Sequence, residues 1–203
     1  NRFFFFFFYI NGSQRGSIFA DVLQPSADYL ECWYPDDSSG ELFKIDDWTE
    51  FSNDWYQINY MVDNRNATLE DFTTTGGAKK KARYRYSWEK KSVHGFDDSF
   101  DRIFALVDAM NETNATDYLN RVRAQIDVDE WCRVFALRHV ICDWDGYGYA
   151  RGKNGYAYKA DGLPWKMLLW DFDFGLGTPD SHPWDISLFN EISDPVISNK
   201  FLQ

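Results

Sequence analysis

The apolar residues change their spacing near Phe96, and this points to a fold with strands first, then helices, then a helix–loop–hairpin unit. Ahead of that point they fall in runs too short for stable helices, bounded by turn residues. Residues 3–10 are a dense aromatic run that ends at Asn11-Gly12, a dipeptide suited to a type I′ hairpin turn. Residues 17–23 read as the return strand. A run so short and so apolar predicts a strand buried on both faces. Residues 27–34 fit a short helix or a turn, 35–40 a loop, and 41–45 a strand with Lys44 near its end. Residues 46–78 are polar, aromatic and weakly periodic, with a loop at 73–77. In residues 79–91, Arg83, Tyr84, Arg85 and Tyr86 alternate basic with aromatic, which predicts an exposed strand.

After Phe96 the period becomes helical. Phe100, Ile103, Phe104, Leu106, Val107 and Met110 form one stripe behind Asp97 and Asp98 as caps. A short helix follows near 115–124. The next begins at Asp127, with Glu130 in the capping-box position. Its apolar residues Trp131, Val134, Phe135, Leu137, Val140 and Ile141 wrap widely, which predicts a central helix. A glycine-rich loop, "CDWDGYGYARGKNG", ends it, and residues 156–158 and 165–170 then read as a strand pair turning at Asp161-Gly162. This order is an α+β pattern.

The net charge of −11 argues against a nucleic-acid partner, since phosphate backbones call for a cationic face. No run is long and apolar enough for a transmembrane helix. The bare "NRFFFFFF" start reads as a piece of a longer chain or assembly. Cys32, Cys132 and Cys142 lack metal-ligand spacing and read as buried free thiols. Asn11, Asn66, Asn111 and Asn114 head glycosylation sequons, which matter only in a secretory chain.

Chemistry gathers at the end of the helix and in "LLWDFDFGLG". Asp143, Asp145 and Asn154 come from the glycine-rich loop, and Asp171 and Asp173 from the end of the strand expected beside it. Clustered carboxylates with an amide oxygen suit a hard cation such as Mg²⁺, with Ca²⁺ a second option. Taken singly, each aspartate could equally cap a helix or a turn. His139 reads as a packed or hydrogen-bonded helix residue and Trp170 as core; His182 follows the aspartate loop.

Three segments resemble the CotH family of atypical, spore-coat-type protein kinases. "FFFFYINGSQRGSIFADVLQPSADYLECWYPDDSSGELFKID" is similar to the family's N-terminal hairpin and closing lysine strand. "DVDEWCRVFALRHVICDWD" resembles the helix leading to its catalytic aspartate. "NGYAYKADGLPWKMLLWDFDFGLG" resembles its Asn-x-Tyr-x-Tyr strand and Trp-Asp-x-Asp, the most specific part. The resemblance implies an atypical protein-kinase-like fold, with an N-terminal β-rich lobe over 1–95. The C-terminal helical lobe, over 96–203, would carry a catalytic helix–loop–β-hairpin unit.

By the same resemblance, Asp145 is the catalytic base, and Lys44 and Asn154 contact nucleotide. Asp171, Asn154 and Asp173 hold the metal. Asp171, rather than the aspartate of the literal Asp173-Phe174-Gly175, then matches the kinase metal ligand. Ala20 or Gln24 stands where the family carries an acidic residue, with Asp21 beside it. Lys44 reads equally as a solvated lysine on an edge strand. The implied activity is transfer of the ATP γ-phosphate, with Mg²⁺, to Ser or Thr of a secreted or surface protein. The implied setting is extracellular or at the cell envelope. Two alternatives accompany it: a catalytically degenerate structural or interaction module, and a cation-dependent hydrolase.

Overall fold

A computed structural model describes residues 3–46, 67–85, 87–91, 97–143, 146–148, 153–172 and 175, leaving aside the side chains of Phe3 and Asp21. The chain divides into two compact units, 1–38 and 39–203.

The first unit is a hairpin followed by a short helix. Strand β1 (Phe3–Ile10) pairs antiparallel with β2 (Ser13–Val22) across the Asn11-Gly12 turn, where both residues have positive φ (50° and 78°). That is the geometry a type I′ turn requires. The ladder is interrupted between Phe6 and Phe8. Helix α1 (Ala27–Trp33) resolves the helix-or-turn alternative, with Ser26 as its cap: its Oγ accepts from the Tyr29 amide. The expected burial of the aromatic strand on both faces is not found. Phe4 to Ile10 are all exposed, Phe5 by 72 %. A two-stranded ribbon has nothing of its own to cover either face. Apolar composition marked a strand here, while burial depends on a partner surface that local sequence does not encode.

The second unit is built on a four-stranded antiparallel sheet, ordered β4-β3-β5-β6. Its strands are β3 (Glu41–Ile45), β4 (Trp88–Lys91), β5 (Gly155–Lys159) and β6 (Lys166–Leu169). Two come from before residue 95 and two from after it. The exposed strand expected over 79–91 is replaced by a short helix, α2 (Lys81–Arg85), and then β4. The basic residues there are pinned rather than solvated. Lys79 sits 2.6 Å from both Asp71 and Asp108, Arg83 lies over the Phe72 ring, and Tyr84 is buried. These contacts outweigh the weak two-residue alternation.

Helices α3 (Asp101–Met110), α4 (Ala115–Gln125) and α5 (Val128–Val140) follow. Asp97 and Asp98, the expected caps of α3, do not cap it; its cap residue is Phe100, without a side-chain bond. Asp97 instead accepts from the Ser99 amide and from Lys90, both at 2.7 Å, closing the turn before the helix. Asn114 caps α4, and Asp127 caps α5 by accepting from the Glu130 amide at 3.1 Å. Helix α5 is less enclosed than its wide apolar wrap predicts, because Leu137 and Val140 are exposed.

One sheet face and the helices share the core. Phe43, Ile45, Ala157 and Met167 join Ile103, Leu106 and Val107 of α3 and Trp131 and Phe135 of α5. Phe43 meets Trp165 at 5.5 Å and Phe100 at 5.8 Å between ring centroids. Trp131 donates its indole N–H to the Trp165 carbonyl at 3.1 Å, tying α5 to the start of β6. Each such side chain contributes about 1.5–3 kcal/mol through burial. All three cysteines are free; Cys32 and Cys132 are exposed rather than buried as expected. No described helix is long and apolar enough to cross a membrane.

Candidate functional site

The sheet register decides which of the predicted residues can meet. Ile45 pairs with Gly155, and Gly155 with Leu169. Asp46 after β3, Asn154 before β5 and Trp170-Asp171 after β6 therefore stand at the same end of three neighbouring strands. Lys44 is one step inside that end, opposite Tyr156.

Lys44 is not on an edge. Strand β3 lies between β4 and β5, so the backbone around Lys44 is held on both sides. Its neighbours Phe43 and Ile45 point into the core, which turns Lys44 to the opposite face. The ammonium reaches the Asp46 carboxylate at 2.8 Å. Partial burial alone would lower the Lys44 pKa, but the Asp46 hydrogen bond and charge outweigh it and raise the value. Asp46, the residue just after β3 and two beyond Lys44, is thus an acidic partner for Lys44 beside the positions Ala20, Asp21 and Gln24 named from sequence. Period-2 geometry supplies the missed signal, because residues i and i+2 of a strand share a face.

Asn154 and Asp171 occupy unusual backbone. Both have φ of 59°, in the left-handed region that residues with a Cβ seldom adopt. Asp171 is exposed, and Trp170 packs edge-on against Tyr156 at 5.7 Å. Phe172 places its ring 5.1 Å from the Arg138 guanidinium. Around Asp171, then, Trp170 and Phe172 are anchored while the residue between them is exposed. That gives a physical reason for an aromatic on each side of the aspartate.

Asp143 has a different occupation from the oxygen cluster expected for it. It is fully buried and forms an ion pair with Arg138, itself only 1 % exposed. A charge so buried is stable only when paired and hydrogen-bonded. The second arm of the Arg138 fork donates to the carbonyls of Asn154 and Trp170, the latter at 3.1 Å. Loop glycines fit closely over this arrangement. A Cβ on Gly146 would collide with the Arg138 guanidinium and the Asp143 carboxylate, and one on Gly148 with the Phe135 ring. His139 presents Nε2 to the Gly148 carbonyl at 2.9 Å, in keeping with a hydrogen-bonded helix histidine. Sequence reading missed Arg138. Its position continues the buried stripe Trp131, Val134, Phe135 at helical spacing, and an arginine on such a stripe signals a buried counter-charge.

The sheet end therefore brings together Lys44, Asn154 and Asp171. Asp145, Asp173 and His182 lie outside the described residues. Among the described residues no three His, Cys, Asp or Glu side chains gather as a metal site. The described donors, an exposed carboxylate and a side-chain amide, are all oxygen, which is the chemistry of a hard cation rather than of zinc or copper.

Comparison with known proteins adds a second line. A family model described as CotH kinase protein matches residues 1–200. A protein of Rhizopus delemar named Invasin CotH3 is 28 % identical over 94 residues, an alignment covering 45 % of this chain and 16 % of that protein. The alignment thus spans less than a fifth of that relative.

Proposed function

Because the chain belongs to the CotH kinase protein family, we propose that it is an atypical kinase with a kinase-like two-lobed fold. It transfers the ATP γ-phosphate to a Ser or Thr hydroxyl of a secreted or cell-surface protein. The observation that carries this reading is the strand register, which gathers a lysine, an asparagine and an aspartate at one sheet end. Phosphoryl transfer asks little covalent chemistry of a protein. It asks for positioning and for charges aimed at the phosphates.

The roles divide by chemistry. Lys44, held by β3 and kept protonated beside Asp46, supplies a fixed positive charge to a nucleotide phosphate. Asp145 accepts the acceptor hydroxyl proton as that oxygen bonds to the γ-phosphorus. The bond from the γ-phosphorus to the bridging oxygen breaks, and ADP leaves. Asn154 and Asp171, with Asp173, are the residues that would hold Mg²⁺, or Ca²⁺ in its place. When bound, the cation neutralises charge on the phosphate oxygens. An extracellular or envelope setting accords with a relative that is named an invasin.

Asp171→Asn is the direct test. Radiolabelled phosphate transfer from ATP should disappear while the variant melts within a few degrees of the wild type. Asp173→Asn should be milder. Full activity in Asp171→Asn sinks the assignment, and the reverse order of severity restores the literal Asp-Phe-Gly register.

A second reading, a degenerate family member acting as an interaction module, is favoured by the exposed aromatic hairpin. Thermal shift with ATP and Mg²⁺ separates the two, because a ligand of the native state must raise its stability. No shift at millimolar nucleotide selects the module.

A further inference from the structure

We infer that Arg138 is a positioning residue: one buried guanidinium sets the backbone on which Asn154 and Asp171 are presented. The functional half of this inference rests on the kinase reading above; the structural half does not.

Arg138 sits in the last turn of α5 and is buried to 1 % exposure. Its planar fork touches three separate chain segments. Nη1 pairs with Asp143, in the loop that continues to Asp145. Nη2 donates to the carbonyl of Asn154 itself and to that of Trp170, the residue before Asp171. Phe172, the residue after Asp171, lies over the guanidinium face. These segments follow α5 as its exit loop, the start of β5 and the end of β6, and they carry or adjoin residues assigned to the site.

The backbone says why such a tie is needed. Asn154 and Asp171 both have φ of 59°, and Cys142, beside Asp143, has φ of 55°. Asparagine and aspartate tolerate left-handed backbone better than other residues with a Cβ, yet it still costs free energy that the surroundings must offset, and more so at Cys142. Here the guanidinium bonds end on the strained residue or on its immediate neighbour at each place. Gly146 lets the loop pack directly against the fork, since a Cβ there would collide with the guanidinium. A lysine could still pair with Asp143. It has no rigid planar fork, so a single nitrogen would have to serve the carboxylate and both carbonyls that Nη1 and Nη2 now divide between them.

The test compares wild type, Arg138→Lys and Phe172→Leu, by hydrogen exchange and by phosphate transfer. Arg138→Lys should keep its global melting transition. Its amides at 153–155 and 170–172 should exchange faster by roughly tenfold or more, with α3 and α4 unchanged. Its kcat should fall by about 10-fold to 100-fold at near-constant acceptor KM, the size of loss seen when a supporting residue is removed. Phe172→Leu leaves the fork in place and should loosen only 170–172. It decides the matter if Arg138→Lys does not fold.

Unchanged exchange at both segments overturns the inference. So does exchange that rises evenly through α3 and α4, which would make Arg138 a general stability residue. Full activity in Arg138→Lys despite local loosening overturns the positioning role. If wild type itself neither binds nucleotide nor transfers phosphate, the kinase reading falls, and the exchange arm still decides whether Arg138 sets the two segments.

Discussion

The hairpin of residues 3–22 and the loop hub around Arg138 invert the usual rule of inside and outside. The hairpin contains the most aromatic stretch of the chain, and Phe4 to Ile10 all face solvent. The hub is built on an arginine and an aspartate, and both are buried. Composition says how much a segment would gain from burial; it does not say that a covering surface exists. Conversely, an ion pair tolerates burial when its hydrogen bonds reach backbone groups that themselves need partners. The hub achieves this by spending the Arg138 fork on carbonyls at the mouths of β5 and β6. The hairpin relies on its own ladder and turn.

The largest effect should follow from breaking the hub. Asp143→Ala removes the buried carboxylate that pairs with Arg138, and removal of one member of a buried pair costs about 3–5 kcal/mol. Chemical denaturation should report that loss as a lower midpoint with an unchanged slope. A loss below about 1 kcal/mol would mean that water reaches the guanidinium, and that the contrast with the hairpin is smaller than the burial implies.

A smaller effect separates the two regions by pH. Asp127 caps α5, and the Glu130 amide and then Lys166 hold its carboxyl below the ordinary range. Its folded pKa is depressed, so its contribution is complete above the ordinary value of 3.8 and is lost as pH falls through the lower folded value. Acid should therefore loosen the start of α5. The hairpin strands carry a single carboxylate, Asp21, and should respond less. Asp127→Ser keeps a capping oxygen without a titrating charge. Helical circular dichroism of that variant should be flatter than wild type below about pH 4. Equal curves would show that the cap charge contributes nothing.

Local pattern made the elements legible, and distant contact hid the rest. Asn11-Gly12 announced its turn, Glu41 to Ile45 its strand, and Asp127 its cap, because each is decided within a few residues. The α+β order followed from the change of period. Residues 79–91 were misread because Lys79 is fixed by Asp71 and Asp108, and Lys81 by Asp98, ties that no short window contains. At the candidate site the residue types were visible, but the adjacency of β3, β5 and β6 was not fully so. The β5–β6 pair follows from a short turn. The β3–β5 pair joins segments more than a hundred residues apart, and only that pairing brings Lys44 to the end that carries Asn154. Asp143 looked like a member of the oxygen cluster because its partner, Arg138, sits among apolar helix positions and was read as part of the helix pattern.

The smallest effect belongs to the hairpin and tests the other half of the contrast. Phe5 is 72 % exposed, so Phe5→Ser removes little buried surface. Exposed substitutions usually change stability by no more than about 0.5 kcal/mol. Phe43→Ser would place the same change where the side chain is fully buried between Phe100 and Trp165. There it loses the ring and leaves a cavity, at about 3–5 kcal/mol for a large aromatic cut down. The two variants share one chemistry and differ only in surroundings, so the ratio of their unfolding losses measures how far burial, rather than residue type, governs this chain. A loss at Phe5 approaching that at Phe43 would mean that the hairpin is covered in solution. The aromatic run would then regain the two-sided burial that its sequence predicts.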